Sequence, residues 1–342
     1  MISPLATFAS QKLAASPLGT YGFFIFVLFI LTWLLPRKCK IKKGNFFIFV
    51  YIDIGKERKM IKIVKIVAVF IASAVLVGCN LCAAEKSVAT SPKALKVLMI
   101  GNSFSICNLR QMPHIAKAMG KELDIASLYI GGCSLERHWN NVVATDKNPA
   151  LRQYRFDRVI DTKKVVEKGK ANIQEALQMD KWDIVTIQQY SAFSWRPETY
   201  HPFGDSLVAK IRALAPQAKI VMQETWSYPP WDKRLKDFGF DQKEMYRRLH
   251  AAYLAFSKIY NLEVIPVGAA AEILPDRNRL FTKPDMHFNG VGEYLQGLVF
   301  TAYLFKVDVA KCPYKPANIE DQCAEELKAA AMDAVSQPAL RM

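Results

Sequence analysis

Val97-Leu98-Met99-Ile100-Gly101-Asn102-Ser103-Phe104-Ser105 decides the fold. Four apolar residues in a row read as a strand covered on both faces, since a strand with one wet face would alternate. Gly101-Asn102 breaks the run, and Ser103 stands directly after it at a helix start. Similar short runs recur at Ile125–Ile130, Ile184–Ile187, Ile220–Met222 and Val264–Val267. Between them helical patterns fall at Gln111–Glu122, Ala171–Met179, Ser206–Leu214, Glu244–Tyr260 and Gly290–Phe305. This alternation predicts an α/β protein, a three-layer α/β/α sandwich around a mainly parallel, five-stranded sheet. One domain over 90–310 accommodates it, with Phe156–Val166 as a candidate hairpin insertion and 311–342 as a helical tail.

The 342 residues are 51% apolar and 23% charged, which excludes a disordered or collagen-like chain. Net charge is +15, unevenly spread. Residues 1–84 hold eleven Lys and Arg against Asp53 and Glu57, a balance of +9, and the remaining 258 residues carry +6. The basicity belongs largely to a leader, which takes away most of the support for nucleic-acid binding.

Met60-Ile-Lys-Ile-Val-Lys65 opens a short basic segment, followed by the apolar run Ile66–Val77 and by Leu76-Val77-Gly78-Cys79. Basic, apolar and small-residue segments in this order describe a secretory signal. The ending resembles the lipobox of bacterial lipoproteins, which implies lipidation of Cys79 and a cell-envelope membrane anchor. The alternative is an ordinary cut after Cys82-Ala83-Ala84 and a soluble exported protein, periplasmic or extracellular. Upstream, Tyr21–Leu35 is shorter than a spanning helix, which needs about 20 residues. Two tandem apolar leaders are redundant, so 1–59 reads as a leader preceding a true start at Met60, with 60–84 as the signal. The competing reading keeps Met1 and makes 18–35 a transmembrane anchor.

In an open parallel sheet, ligands bind beyond the carboxyl ends of the strands. Four such ends carry reactive or permissive residues: Gly101-Asn102-Ser103, Gly131-Gly132-Cys133-Ser134, Gln188-Gln189-Tyr190-Ser191 and Asp285-Met286-His287. A Ser hydroxyl needs a base, His is the usual one near neutral pH, and a carboxylate beside the His fixes its tautomer. The oxyanion that forms needs preorganised donors. The Ser103 and Gly132 main-chain N–H groups and the Gln189 amide are the candidates, with Asn102 as a further candidate oxyanion or substrate contact.

These blocks resemble those of the SGNH (GDSL-type) hydrolases, a family of flavodoxin-like fold, over about residues 94–306. Val97–Ser105 resembles the first block, with Asn102 where many members have Asp. Gly131-Gly132-Cys133-Ser134 resembles the second, and Asp285-Met286-His287-Phe288-Asn289 the last. The resemblance implies Ser103 as nucleophile, His287 as base, Asp285 as its partner and Gly132 as oxyanion donor, with no metal or cofactor. The family's third block carries Gly-x-Asn-Asp, whereas this chain resembles a bacterial subgroup with Gln there, and the donor role passes to Gln189. Family members separate the Asp and His by two residues, whereas only Met286 intervenes here. A backbone carbonyl or Asp276 are the alternatives to Asp285.

Beyond the blocks, Glu136-Arg137-His138-Trp139 follows the Gly132 loop, and His138 is a candidate rim residue. Trp195, Trp226, Tyr228 and Trp231 lie in loops near strand ends, where aromatics stack on sugar rings or cover the core. Cys107, Cys133, Cys312 and Cys323 would be oxidised outside the cytoplasm, and Cys312–Cys323 and Cys107–Cys133 are candidate pairs among several. The resulting expectation is an exported, lipid-anchored serine esterase acting on a small acyl ester or an acylated polysaccharide. The alternative is a carbohydrate-binding lipoprotein without catalysis on the same scaffold.

Overall fold

Val97, Leu98, Met99 and Ile100 are all buried at the centre of a sheet, each 1% exposed or less. The computed structural model describes residues 93–337 with their side chains, and before them the backbone of 39–44, 47–54 and 57–60. Cys39–Gly44, Phe47–Ile54 and Glu57–Met60 pair as a small antiparallel sheet. The apolar run 18–35, the signal after Met60 and Cys79 lie outside the described residues. Among those described, no helix is long and apolar enough to cross a membrane.

The unit spanning 90–342 carries a seven-stranded sheet. Its strands are β1 (Leu95–Gly101), β2 (Leu123–Tyr129), β3 (Tyr154–Ile160) and β4 (Lys163–Ala171). They continue with β5 (Ile184–Ile187), β6 (Lys219–Gln223) and β7 (Glu263–Ile265). The order is β7-β6-β5-β1-β2-β3-β4. The strands from β7 to β2 run parallel, at the five places the sequence predicted.

The expected count of five is corrected by the β3–β4 hairpin, which joins the sheet antiparallel to β2 instead of standing apart from it. Tyr154, Phe156 and Val159 are buried from β3, which fixes the hairpin against the core. Strand β4 is an outer edge, mostly exposed, with Lys163, Lys164, Lys168 and Lys170 along it. A register shift between Phe156 and Arg158 interrupts its pairing with β3.

Helices α1 (Ser103–Ile106), α2 (Asn108–Ala118), α3 (Leu135–Lys147), α4 (Ile173–Gln178) and α5 (Phe203–Leu214) connect the first strands. Helices α6 (Lys233–Phe238), α7 (Gln242–Tyr260), α8 (Val267–Ile273), α9 (Gly290–Phe305) and α10 (Asp321–Ser336) complete the chain. In one layer α2, α8, α9 and α10 pack on one another through successive contacts, and in the other α3, α4 and α5 do so. The tail helix α10 therefore belongs to the same core. Helix α9 begins where predicted, because Asn289 caps it, its side chain accepting from the N–H groups of Val291 and Gly292. The last strand is shorter than expected. It ends at Ile265, and after Pro266 the chain turns into α8.

All four cysteines of this unit are free thiols, so neither proposed disulfide is present. Cys107 donates to the Gln296 side-chain oxygen at 2.8 Å, and Cys133 lies beside His138.

Candidate active site

Ser103 is the first residue of α1, at the carboxyl end of the central strand. Asn102 caps the helix: its Oδ1 accepts from the Phe104 N–H at 3.0 Å and from the Gln188 amide at 2.5 Å. Its Nδ2 donates to the Cys133 carbonyl at 3.0 Å. With the side chain so committed and 1% exposed, Asn102 is a brace between loops, which corrects its expected role as a substrate or oxyanion contact. The Phe104 carbonyl accepts from the carboxamides of Gln223 and Gln296, both at 2.7 Å. The turn that presents Ser103 is thus tied to β6 and α9.

The Ser103 hydroxyl lies 2.8 Å from His287 Nε2, and His287 Nδ1 lies 2.7 Å from Asp285 Oδ1. The one-residue spacing works because the same carboxylate oxygen also accepts from the main-chain N–H groups of Met286, at 2.7 Å, and His287, at 3.0 Å. The side chain folds back over its own turn and meets the imidazole at Nδ1. Burial tends to raise the Asp285 pKa, but the His287 N–H, the imidazole and the Met286 N–H outweigh it and hold the carboxyl below its usual range. Asp276 is occupied elsewhere, capping a turn through the Asn278 N–H at 3.1 Å.

The loop of Gly131 and Gly132 is held against the Ser103 turn on both sides. The Ile130 N–H donates to the Gly101 carbonyl at 3.3 Å, and Cys133 is bound by Asn102. Gly132 has φ +58°, in the left-handed region that favours glycine, and the Tyr190 ring lies 3.5 Å from where a Cβ would stand. Among the described residues, the N–H groups of Ser103 and Gly132 have no hydrogen-bond partner. Two main-chain donors, one on each of these neighbouring turns, are thereby left uncommitted.

Gln189 is placed differently from expectation. Its Nε2 donates to the Thr199 carbonyl at 2.9 Å and to the Thr199 hydroxyl at 3.1 Å. Its Oε1 accepts from the N–H of Leu135 at 3.0 Å and of Tyr190 at 2.8 Å. Fully buried and fully used, this side chain joins three loops and has no hydrogen left for an oxyanion.

A cleft of about 750 Å³ opens at the Ser103–His287 pair. It runs between α2, through Arg110 and His114, and the hairpin, through Arg155, Asp157, Lys164 and Glu167. The charges along it are paired: Arg155 with Asp157, Lys164 with Glu167, and Arg110 with Glu293. Sequence reading missed this wall, because the hairpin was not expected in the sheet.

The loop aromatics mostly cover the core. Trp226 is stacked between Phe104 at 3.9 Å and Phe288 at 3.6 Å, ring centre to ring centre, and only its edge reaches the cleft. Tyr228 is buried beneath the Arg234 guanidinium, Trp231 packs on Phe281, and Trp195 on Phe238 and Phe240. His138 is not a rim residue. It is fully buried on α3 with Nδ1 2.9 Å from the Tyr154 hydroxyl, and burial, assisted by Arg137, pushes its pKa down to about 3. At the end of β6 the fully buried Glu224 meets His250 Nδ1 at 2.5 Å, away from the reactive pair.

Solved structures similar to this chain include a DUF4886 family protein from Bacteroides uniformis, 27% identical with a TM-score of 0.66, covering 72% of this chain and 96% of that one. A candidate SGNH hydrolase from Slackia heliotrinireducens is 22% identical with a TM-score of 0.46, covering 62% and 100%. A lipase/acylhydrolase from Enterococcus faecalis is 14% identical with a TM-score of 0.41, covering 66% and 100%. No curated protein matches. The family described as a domain of unknown function, DUF4886, matches residues 96–334, and the chain belongs to it.

Proposed function

We propose that this protein is a serine esterase that hydrolyses acyl esters through Ser103, His287 and Asp285. The unbroken run of hydrogen bonds from the Ser103 hydroxyl through the imidazole to the Asp285 carboxylate carries the reading. The Ser103 oxygen bonds to the ester carbonyl carbon while His287 Nε2 takes the hydroxyl proton. The carbonyl oxygen becomes an oxyanion facing the free N–H groups of Ser103 and Gly132, donors of a kind worth about 3–4 kcal/mol each in a transition state. The carbon–alkoxide bond then breaks, and the alkoxide leaves with the proton from His287. Water, deprotonated by the same imidazole, attacks the acyl-serine, and the acid and free Ser103 are regenerated. Asp285 keeps the Nδ1 proton in place and balances the imidazolium.

The acyl group in this reading is small, such as acetyl carried on a carbohydrate, and the enzyme acts outside the cytoplasm, held at a membrane by lipid on Cys79. Ser103→Ala should lower p-nitrophenyl acetate turnover at least about a thousandfold. A fluorophosphonate probe should label the wild type at Ser103 and not the variant. A folded wild-type protein that neither turns over the ester nor takes the label would instead favour a carbohydrate-binding role without catalysis. The loss of Gln189 as a third donor speaks for that second reading.

A further inference from the structure

The cleft is asymmetric about the reactive pair. Its lining takes in His287 and Asp285 and does not include Gly132. In ester cleavage the departing alkoxide must receive its proton from His287 Nε2, so the alcohol leaves on the imidazole side, and the oxyanion lies on the Gly132 side. The open space beside the reactive pair is therefore on the side of the alcohol.

The direction of that space follows from the sheet register. Gly101 pairs with Tyr129 and Tyr129 with Arg155, so Arg155 stands level with the nucleophile turn, two strands away. Lys164 pairs with Val159, Val159 with Ile125, and Ile125 with Val97. Lys164 is thus three strands across and four residues down from Gly101, roughly 20 Å away at ordinary strand spacings. A groove of that length is far more than an acetyl ester of a simple alcohol fills.

Its chemistry narrows the occupant. Arg155 forms a two-pronged pair with Asp157, at 2.6 and 2.9 Å, and Lys164 pairs with Glu167 at 2.9 Å. Paired charges leave spare donors and acceptors on both sides without a net field that would favour a phosphate or an acidic polymer. Leu109, Pro113, Val159 and Val166 stand beside these pairs, so an occupant with apolar ring faces and polar edges meets both kinds of surface, whereas a purely hydrocarbon chain would desolvate the ions. Hydroxyl groups, which donate and accept, suit such a lining.

We infer that the β3–β4 hairpin and α2 form an alcohol-side groove for the neutral sugar chain of an acylated oligosaccharide, which makes the hairpin the specificity element of the enzyme. This inference rests on the esterase reading given above and extends it along the cleft.

The test uses partially O-acetylated xylo-, manno- and gluco-oligosaccharides of one to four units, with p-nitrophenyl acetate as reference. For at least one sugar series, wild-type kcat/KM should rise at least tenfold from monomer to tetramer. In Thr162→Trp, which fills the far end of the groove, and in the exposed double variant Lys164→Ser/Glu167→Ser, the tetramer-to-reference ratio should fall at least fivefold through KM. Calorimetry on Ser103→Ala should show binding of the same acetylated tetramer, weakened when Thr162→Trp is added. The inference is overturned if no series gains with length, if the gain survives both groove variants, or if p-nitrophenyl palmitate is the ester that depends on Thr162. Failure of the esterase reading is separate: it shows as no Ser103-dependent turnover of the reference ester.

Discussion

The indole N–H of Trp226 donates to the main-chain carbonyl of Met286 at 3.0 Å, between Asp285 and His287. The same indole is clamped between Phe104, next to Ser103, and Phe288, next to His287. One side chain thus sets the separation of Ser103 and His287. Trp226→Phe keeps part of the stacking and removes the hydrogen bond, about 1 kcal/mol of stability. Because displacement by an ångström costs up to about a hundredfold in rate, kcat on p-nitrophenyl acetate should fall roughly ten- to a hundredfold. Urea melts and steady-state kinetics on the same protein check both. A fall in stability with unchanged kcat would remove the positioning role.

Gly132→Ala forces a side chain into the left-handed region, at a cost of about 1–2 kcal/mol. The loop should relax by turning its N–H, and kcat should drop about a hundredfold with little change in KM. Gly120→Ala is the control: its φ is +66° with no atom within 4 Å of the added carbon, so it carries similar strain away from the site. Its melting temperature should fall while kcat stays within twofold.

Gln189→Ala should act as a structural lesion. It leaves the Leu135 and Tyr190 N–H groups and the Thr199 carbonyl without their partner, a loss of about 1–3 kcal/mol. Chemical denaturation should record that loss while kcat falls less than tenfold. A drop of a hundredfold or more would mean the amide reaches the oxyanion after all.

The His250–Glu224 pair makes stability depend on pH in a definite direction. The hydrogen bond to Glu224 raises the His250 pKa, with burial opposing. A raised folded-state pKa contributes stability that is complete below the unfolded histidine value of about 6.5 and fades as pH climbs through the folded value. The gap in unfolding free energy between wild type and His250→Gln should be largest, about 2 kcal/mol, in mildly acidic buffer, and should narrow in alkaline buffer. Denaturation curves across that range give the sign directly.

Burial pushes the thiols of Cys107 and Cys133 up to about 12 each. With mass-spectrometric readout, a thiol reagent at pH 8 should modify the partly exposed Cys323 first and reach Cys107 and Cys133 only after unfolding. Protection of Cys312 and Cys323 together, reversed by a reductant, would indicate the disulfide that this structure lacks.

The parallel strands and the meeting of Ser103, His287 and the Gly132 loop at one edge of the sheet were legible because both rest on local signals. Val97–Ile100 and Ile184–Ile187 are uninterrupted apolar runs, and Ser103, Gly132 and His287 each follow a strand end or precede a helix cap. The hairpin was harder: Lys163–Ala171 is polar nearly throughout, since an exposed edge strand needs no apolar face. Helix α8 was concealed because Val264–Ala271 is almost entirely small and apolar, a pattern that strand and helix share. The placement of Gln189 depends on which way one carboxamide points, a choice made by Thr199 and Leu135, distant in sequence. The Asp285 spacing looked too short only if the carboxylate approaches from an extended loop; folding back onto its own N–H groups closes the distance.

The lysine row on β4 has a consequence for how copies of this protein meet. A sheet ends in unpaired peptide groups that invite a neighbouring sheet to continue the ladder. Here one border is a strand of only three residues, Glu263–Ile265, and the other presents Lys163, Lys168 and Lys170 in addition to the paired Lys164, beside an irregular register. Two molecules approaching border to border would bring like charges together before any ladder could form. The element that lengthens the cleft also keeps crowded copies from zipping into one another.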